Sequence, residues 1–154
     1  MRRLLIVILF LICSLYAFSE EKRMAVGLGL EWNMNSRHNF AGGAVLGMNF
    51  NLTDKIALGL NLGGSSNFST VVVIEPAALF RYYFLENEHG KFFGQVDAGA
   101  FFLFEEGYDM YTMALFGIRG GLRKPLGSSF YIEPYGRLGY PFVFGLGVMA
   151  GLKF

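Results

Sequence analysis

The sequence predicts an all-β protein: an eight-stranded antiparallel up-and-down transmembrane β-barrel, preceded by a signal peptide. Apolar side chains recur at every second position in eight stretches after residue 19, and short polar or Gly/Pro turns separate these stretches. A strand places alternate side chains on opposite faces, so each stretch has one continuous apolar face. Charged residues make up 16% of the chain, against a usual share of about 25%. With no helical pattern to cover the apolar faces, we expect them to contact lipid.

The first 19 residues have the three parts of a secretory signal peptide. Arg2 and Arg3 give a positive start, and an almost unbroken apolar run covers residues 4–18. Ala17 and Ser19 are small residues at the spacing that signal peptidase needs. The apolar run is shorter than the roughly 20 residues of a spanning helix. We therefore predict cleavage after this leader.

The leader divides the chain into two parts, a signal peptide at 1–19 and a β-barrel domain at 20–154. Two alternatives remain for the leader: an uncleaved anchor, or a lipoprotein signal in which Cys13 carries the lipid. Cys13 is the only cysteine, so cleavage would leave no thiol for a disulfide, a metal site or a nucleophile. The net charge of +1 gives no basic field, so we expect no nucleic-acid partner.

Eight segments of the mature chain alternate between apolar and small or polar residues. Most are about 9 to 13 residues long, enough for a tilted strand to cross the hydrocarbon layer. The predicted strands are 26–34, 40–50, 56–63, 70–83, 91–104, 110–123, 130–138 and 143–154. The turns between them contain Gly, Pro, Asn, Asp or Ser. Because eight is even, both ends of the barrel domain fall on the same side.

Two prolines fall in strand interiors, where proline is unfavourable because it cannot donate a ladder hydrogen bond. Pro76 and Pro134 each end the same short phrase, Ile-Glu-Pro. The recurrence predicts either a β-bulge used twice or an old duplication of a hairpin.

The last stretch, V-F-G-L-G-V-M-A-G-L-K-F at 143–154, resembles the closing strand of bacterial outer-membrane β-barrels. Those strands end in Phe, with apolar residues at alternating positions before it. The resemblance implies a small barrel of OmpA/OmpX-like size in the cell outer membrane, surrounded by outer-membrane lipid, with both termini on the periplasmic side. It also implies that Phe154 and Leu152 form the signal read by the barrel-assembly machinery.

The faces that would point into the barrel carry balancing charges. A buried charge needs a partner, and an eight-stranded barrel is just wide enough to be filled by side chains. We therefore expect a lumen charge network that plugs the barrel. Its predicted members are Glu31, Glu75, Arg81, Asp97, Arg119, Arg123, Glu133 and Arg137, with Lys153 as a further inward base. Strands one to three offer mostly Gly, Ala and Asn inward, so large residues of strands four to seven can fill the space.

These features predict a porin-like barrel with a largely plugged lumen and a structural, envelope or surface role. A narrow conduit or a binding site for small apolar molecules is the alternative. A soluble lipocalin-type barrel is less consistent, since it requires polar outward faces. A lipid-modifying enzyme is a weaker alternative: Ser36 and His38 share the first loop, but no third orienting group is evident. We predict no enzymatic activity, catalytic residue, metal or cofactor.

Overall fold

The computed structural model of the protein describes residues 23–35, 39–105 and 107–154. They form eight antiparallel strands: β1 (Met24–Met34), β2 (Phe40–Asn51), β3 (Ile56–Ser66), β4 (Val71–Asn87), β5 (Gly90–Glu105), β6 (Tyr111–Leu126), β7 (Phe130–Tyr140) and β8 (Phe144–Lys153). Each strand pairs with its successor, and β8 pairs with β1 to close the barrel. The predicted fold class is confirmed. The predicted signal peptide, together with Ser36 and His38, lies outside the described residues.

The seam between the first and last strands is fully paired. The Met24 amide donates to the Phe154 carbonyl at 3.2 Å, and the Phe154 amide donates to the Met24 carbonyl at 2.8 Å. An unpaired peptide group in lipid costs several kcal/mol, and closure removes the two strand edges that would carry such groups. Among the residues that the structure describes, no helix is long and apolar enough to cross a membrane.

Side chains alternate between an exposed apolar surface and a buried interior along every strand. Leu28 and Trp32 are each 64% exposed on the outside of β1, whereas Glu31 between them is 3% exposed. The predicted assignment of residues to the two faces matches this alternation. Tyr111 and Met113 lie on the inward side of β6, opposite Leu103 and Phe101 of β5. They are nevertheless 53% and 37% exposed, because they lie at the loop end of the barrel, where β5 ends and β6 begins.

Three strands extend three or more residues beyond their predicted ends. β3 continues to Ser66, β4 to Asn87 and β6 to Leu126. In each case a neighbouring strand supplies the missing ladder partners, as where Leu126 pairs with Phe130 across a tight turn. Residues typical of turns lie in each extension, namely Gly64 and the serines in β3, Asn87 in β4 and Pro125 in β6. Pairing with the neighbouring strand outweighs that local preference.

The expected bulge at the two Ile-Glu-Pro phrases is wrong. The β4–β5 ladder is interrupted at Pro76 and the β6–β7 ladder at Pro134, but the register is the same on both sides of each interruption. Each proline lacks the N–H that the ladder needs, so a bond is lost without an extra residue being inserted. The register shift in the β4–β5 ladder falls elsewhere, between Tyr83 and Leu85.

Candidate functional site

The lumen brings together all eight charged side chains of the predicted network. They reach it from five strands: Glu31 on β1, Glu75 and Arg81 on β4, Asp97 on β5, Arg119 and Arg123 on β6, and Glu133 and Arg137 on β7. Each occupies an inward position of its strand, and each is at most 9% exposed. Four carboxylates and four guanidinium groups thus share one interior, and their formal charges cancel.

Glu31 is the carboxylate with the most varied partners. It accepts hydrogen bonds from Arg119 at 2.6 Å and from the Tyr135 hydroxyl at 2.6 Å. Arg137 donates to its second oxygen at 3.1 Å, and Asn33 of the same strand donates to that oxygen at 3.3 Å. β1 is therefore tied to β6 and β7 through one side chain, and these bonds are strengthened by charge.

Two arginine–glutamate forks connect β4 and β7 in opposite directions. Arg81 of β4 donates both terminal nitrogens to the Glu133 carboxylate of β7, each at 2.8 Å. Arg137 of β7 donates to the two oxygens of Glu75 on β4, at 3.0 and 3.2 Å. A bidentate fork fixes geometry as well as contributing energy. The two strands that carry the Ile-Glu-Pro phrase thus bind each other's glutamate across the lumen.

Neutral side chains join the forks into one network. Arg81 donates through Nε to Gln95 at 2.8 Å, and Gln95 donates to Asp97 at 2.7 Å. Asp97 also accepts from Asn61 at 3.0 Å and from Arg119 at 2.8 Å. The hydrogen-bonded chain therefore continues from one end of the network to the other without a break.

Members of this network that were not among the predicted site residues include Tyr135, Gln95, Asn61 and Asn33. All four are polar residues at inward positions of their strands, and each is at most 6% exposed. A buried polar group is nearly always hydrogen-bonded, so their inward positions were the available signal. Which charged residue each would contact depends on strand register, which the alternation does not reveal.

A layer of apolar side chains lies on the loop side of the network. It consists of Ala41, Val73, Ala77, Phe101, Leu115 and Phe142, all buried. Above this layer is a cavity of about 490 Å³, whose lining includes Tyr111 and Tyr140. The Ser65 hydroxyl also lines the cavity, is buried, and has no hydrogen-bond partner among the described residues.

A second buried cluster lies among the strands toward the end that carries the chain termini. It consists of Val45, Ala57, Tyr83, Phe93, Tyr135 and Met149. The Arg81 guanidinium lies 3.9 Å from the centre of the Phe93 ring, and that of Arg123 lies 4.3 Å from the centre of the Tyr131 ring. Stacking of this kind favours guanidinium groups taken out of water.

The two residues of the expected assembly signal lie at the barrel seam. Leu152 pairs with Val26 of β1 and with Phe130 of β7, and it points outward. Phe154 is 40% exposed at the end of the chain. Their positions leave both side chains available on the outer surface, and their role in assembly stays a prediction.

The described residues hold no group of three or more His, Cys, Asp or Glu side chains arranged to bind a metal ion. The four buried acids are paired with arginines, and Glu31 and Asp97 also accept hydrogen bonds from side-chain amides. These side chains form ion pairs and hydrogen bonds across the barrel.

A closed eight-stranded barrel with an apolar outside and a hydrogen-bonded charged interior is a membrane β-barrel of the small class. The fold is similar to the N-terminal β-barrel domain of Pseudomonas aeruginosa OprF, with a TM-score of 0.63 and 15% identity over 84% of this chain and 97% of that one. Neisserial surface protein A aligns with a TM-score of 0.63 and 10% identity over 84% and 94% of the two chains.

A de novo designed transmembrane β-barrel also aligns, with a TM-score of 0.60 and 9% identity over 88% of this chain and 98% of the designed one. At these identities the likeness concerns the fold alone. No model of a known protein family matches the sequence, and no curated protein is similar to it. The resemblance to small outer-membrane barrels is confirmed at the level of fold.

Proposed function

We propose that this chain is an integral outer-membrane β-barrel whose lumen is closed and whose role is structural, in the cell envelope or at its surface. The observation that carries this proposal is the unbroken hydrogen-bonded network across the lumen, from Arg123 near the end with the termini to Glu75 near the loop end. The buried apolar layer beside it supports the same conclusion.

A conducting path would require several buried ion pairs to separate together. Breaking a buried pair by removing one partner costs roughly 3–5 kcal/mol. The forks between Arg81 and Glu133 and between Arg137 and Glu75 lie in series along the lumen with the Glu31 cluster. Thermal motion would rarely separate all of these ion pairs at once. The ion pairs therefore support a lumen filled by side chains rather than a narrow conduit.

Conductance in a planar lipid bilayer tests this proposal. We expect residues 20–154, folded and inserted, to give no steady unitary current. The double variant Arg81→Ala/Glu133→Ala removes both partners of one fork while adding no net charge, and we expect it to raise the background leak. Steady, reproducible unitary currents from the unaltered chain would contradict the closed lumen.

Insertion must be verified separately, because a chain that fails to insert also carries no current. Circular dichroism of the same vesicles reports strand content, and a change of mobility on a gel after boiling reports a folded barrel. A chain that passes both checks and remains silent supports the proposal.

Binding of a small apolar molecule at the loop end is a second candidate function. The cavity of about 490 Å³ there has an apolar floor that includes Phe101 and Phe142. The unpartnered Ser65 hydroxyl could accept or donate one hydrogen bond to such a molecule. Apolar pockets with a few polar groups are the usual form of small-molecule sites.

An NMR titration with octanol in maltoside micelles tests this second candidate. Ala41→Phe should fill the cavity and abolish saturable shifts around Phe101, because Ala41 lines it. Ala44→Phe, on the lipid-facing side of the same strand, is the matched control and should leave the titration unchanged. Equal loss in both variants would point to micelle partitioning rather than a site.

We propose no enzymatic role for the chain. The weaker alternative rests on Ser36 and His38, both outside the described residues, and the four buried acids are already paired with arginines. A lipase or deacylase activity of the purified protein that is lost in Ser36→Ala would overturn this view.

A further inference from the structure

The lumen network ends in an arginine with an unused donor. Along the network cations and anions alternate, and Arg123 is the last cation at the end with the termini. It donates through Nε to Glu133 at 2.7 Å, although Glu133 already accepts both arms of Arg81. Arg123 is 2% exposed, and its Nη2 has no hydrogen-bond partner within the described part of the chain. A buried donor left in this state is costly.

A cavity of about 530 Å³ lies at this end of the barrel, and Arg123 forms part of its lining. Lys91, which pairs with Arg123 across the β5–β6 ladder, lines it as well. The other charged side chains of the lining are Arg23, Lys153 and Asp54, so four bases face one acid. The cavity therefore has a strongly positive wall.

Arg123 and Lys91 are the bases on which ligand binding would depend, because Arg23 and Lys153 have interactions of their own. Two contacts fix the position of the Arg123 guanidinium. Its Nε donates a hydrogen bond to Glu133, and its Cζ lies 4.3 Å from the centre of the Tyr131 ring. Lys91 contacts Glu86 at 3.0 Å. Glu86 is 65% exposed and is not part of the cavity lining. Water therefore weakens the attraction between Glu86 and Lys91, and the positive charge of Lys91 can still attract an anion in the cavity.

We propose that this cavity binds a phosphate group. A planar guanidinium with a free arm matches the spacing of phosphate oxygens, and an ammonium beside it adds a compact point charge. A bound phosphate would satisfy Arg123 Nη2 and complete the alternation of charge along the lumen. The cavity is larger than an inorganic phosphate ion, so the group could belong to a soluble phosphorylated molecule or to a lipid headgroup.

The test uses the folded chain in maltoside micelles, which contain no phosphate. Inorganic phosphate is titrated while the ¹⁵N signals of the arginine Nε groups and of the backbone are followed. We expect saturable shifts centred on Arg123 and Lys91. Arg123→Gln should weaken binding at least tenfold and Lys91→Gln several-fold. Lys124→Gln removes the same charge from the neighbouring, exposed position of β6 and should leave binding unchanged.

A second arm titrates short-chain phosphatidic acid into the same micelles. Saturation by phosphate alone identifies a soluble source, and saturation by the lipid alone identifies a headgroup, both with the dependence on Lys91 described above. If Arg123→Gln fails to fold, Lys91→Gln still decides the matter, because Lys91 is partly exposed. Shifts that never saturate, or that weaken equally in Lys124→Gln, would overturn the proposal in either arm.

Discussion

The two sides of the barrel wall contribute unequally to the lumen. Of the eight charged residues in the network, seven stand on β4, β5, β6 and β7, and Glu31 on β1 is the eighth. The inward positions of β1, β2, β3 and β8 instead carry mainly glycine, alanine and asparagine. Strands β4–β7 contribute the large and charged side chains, and the small residues of β8 and β1–β3 leave space for them.

Side chains of the adjacent strand occupy much of the space that these small residues leave. On β7, Tyr131 lies directly opposite Gly151 of β8, and Tyr135 lies opposite Gly147. A Cβ added to either glycine would fall 2.5 Å from the opposing ring. Aromatic rings that cover glycines of the adjacent strand are a recognised way to fix strand register. Complementarity between the two sides is therefore local as well as across the lumen.

The largest effect is expected from Glu31, the one member of the eight-residue charge network that lies on the small-residue side. Glu31→Ala would remove the acceptor of Arg119, Arg137 and Tyr135 at once. Two buried guanidinium groups would lose a partner, so we expect the free energy of unfolding to fall by about 3–5 kcal/mol. Urea titration of the barrel in lipid vesicles, followed by tryptophan fluorescence, measures the change.

Glu88→Gln serves as the control for Glu31→Ala, because Glu88 is 89% exposed and lies 4.0 Å from His89, which is 75% exposed. It should unfold at the same urea concentration as the unaltered chain. A similar stability for both variants would show that the lumen charges contribute little, and the contrast between the two sides would lose its energetic meaning.

A smaller effect is expected from adding one methyl group to a small residue of β8, on the side of the wall formed by β8 and β1–β3. Gly147→Ala would bring a Cβ against the Tyr135 ring, which cannot move away freely because its hydroxyl is bound to Glu31. Overpacking of this kind costs typically about 1–3 kcal/mol. The same urea titration reports it.

Gly136→Ala is the matched control, since Gly136 lies on neighbouring β7 and the nearest atom to its added Cβ would be Leu146 Cδ2 at 3.8 Å. Alanine there should be neutral or slightly stabilising, because glycine in a strand carries an entropic cost. If both alanines behaved alike, close packing against Tyr135 would not be the reason that glycine occupies position 147.

The smallest effect on stability is expected at the ladder interruptions, which lie among strands β4–β7. The Pro134 carbonyl faces Gly121 of β6, so an amide at position 134 would face β6 too. Pro134→Val should restore one ladder bond and change the free energy of unfolding by no more than about 1 kcal/mol, since the gain is offset by a more flexible unfolded chain. Hydrogen exchange should show the introduced amide to be protected. Rapid exchange there would mean that the ladder stays open for another reason.

The sequence predicted the number of strands and the face of nearly every residue because lipid imposes a strict alternation that single residues cannot escape. It did not predict the ends of β3, β4 and β6, because pairing with a neighbour extends a strand through residues that prefer turns. It also identified the charged members of the lumen without their partners. Arg81 pairs with Glu133 rather than with an acid nearer in the sequence. This pairing follows from the register of the strands between them, which no local sequence pattern encodes.

The central proposal is that a hydrogen-bonded charge network fills the lumen and excludes water. Hydrogen exchange at the arginine Nε–H groups, followed by NMR on the folded barrel, tests it most directly. Arg81, Arg119 and Arg123 each donate Nε–H to a buried acceptor at 2.7–2.8 Å, so their exchange should be slower than that of free arginine by several orders of magnitude. Exchange as fast as in free arginine at all three positions would show that water passes through the lumen, and the account would be wrong.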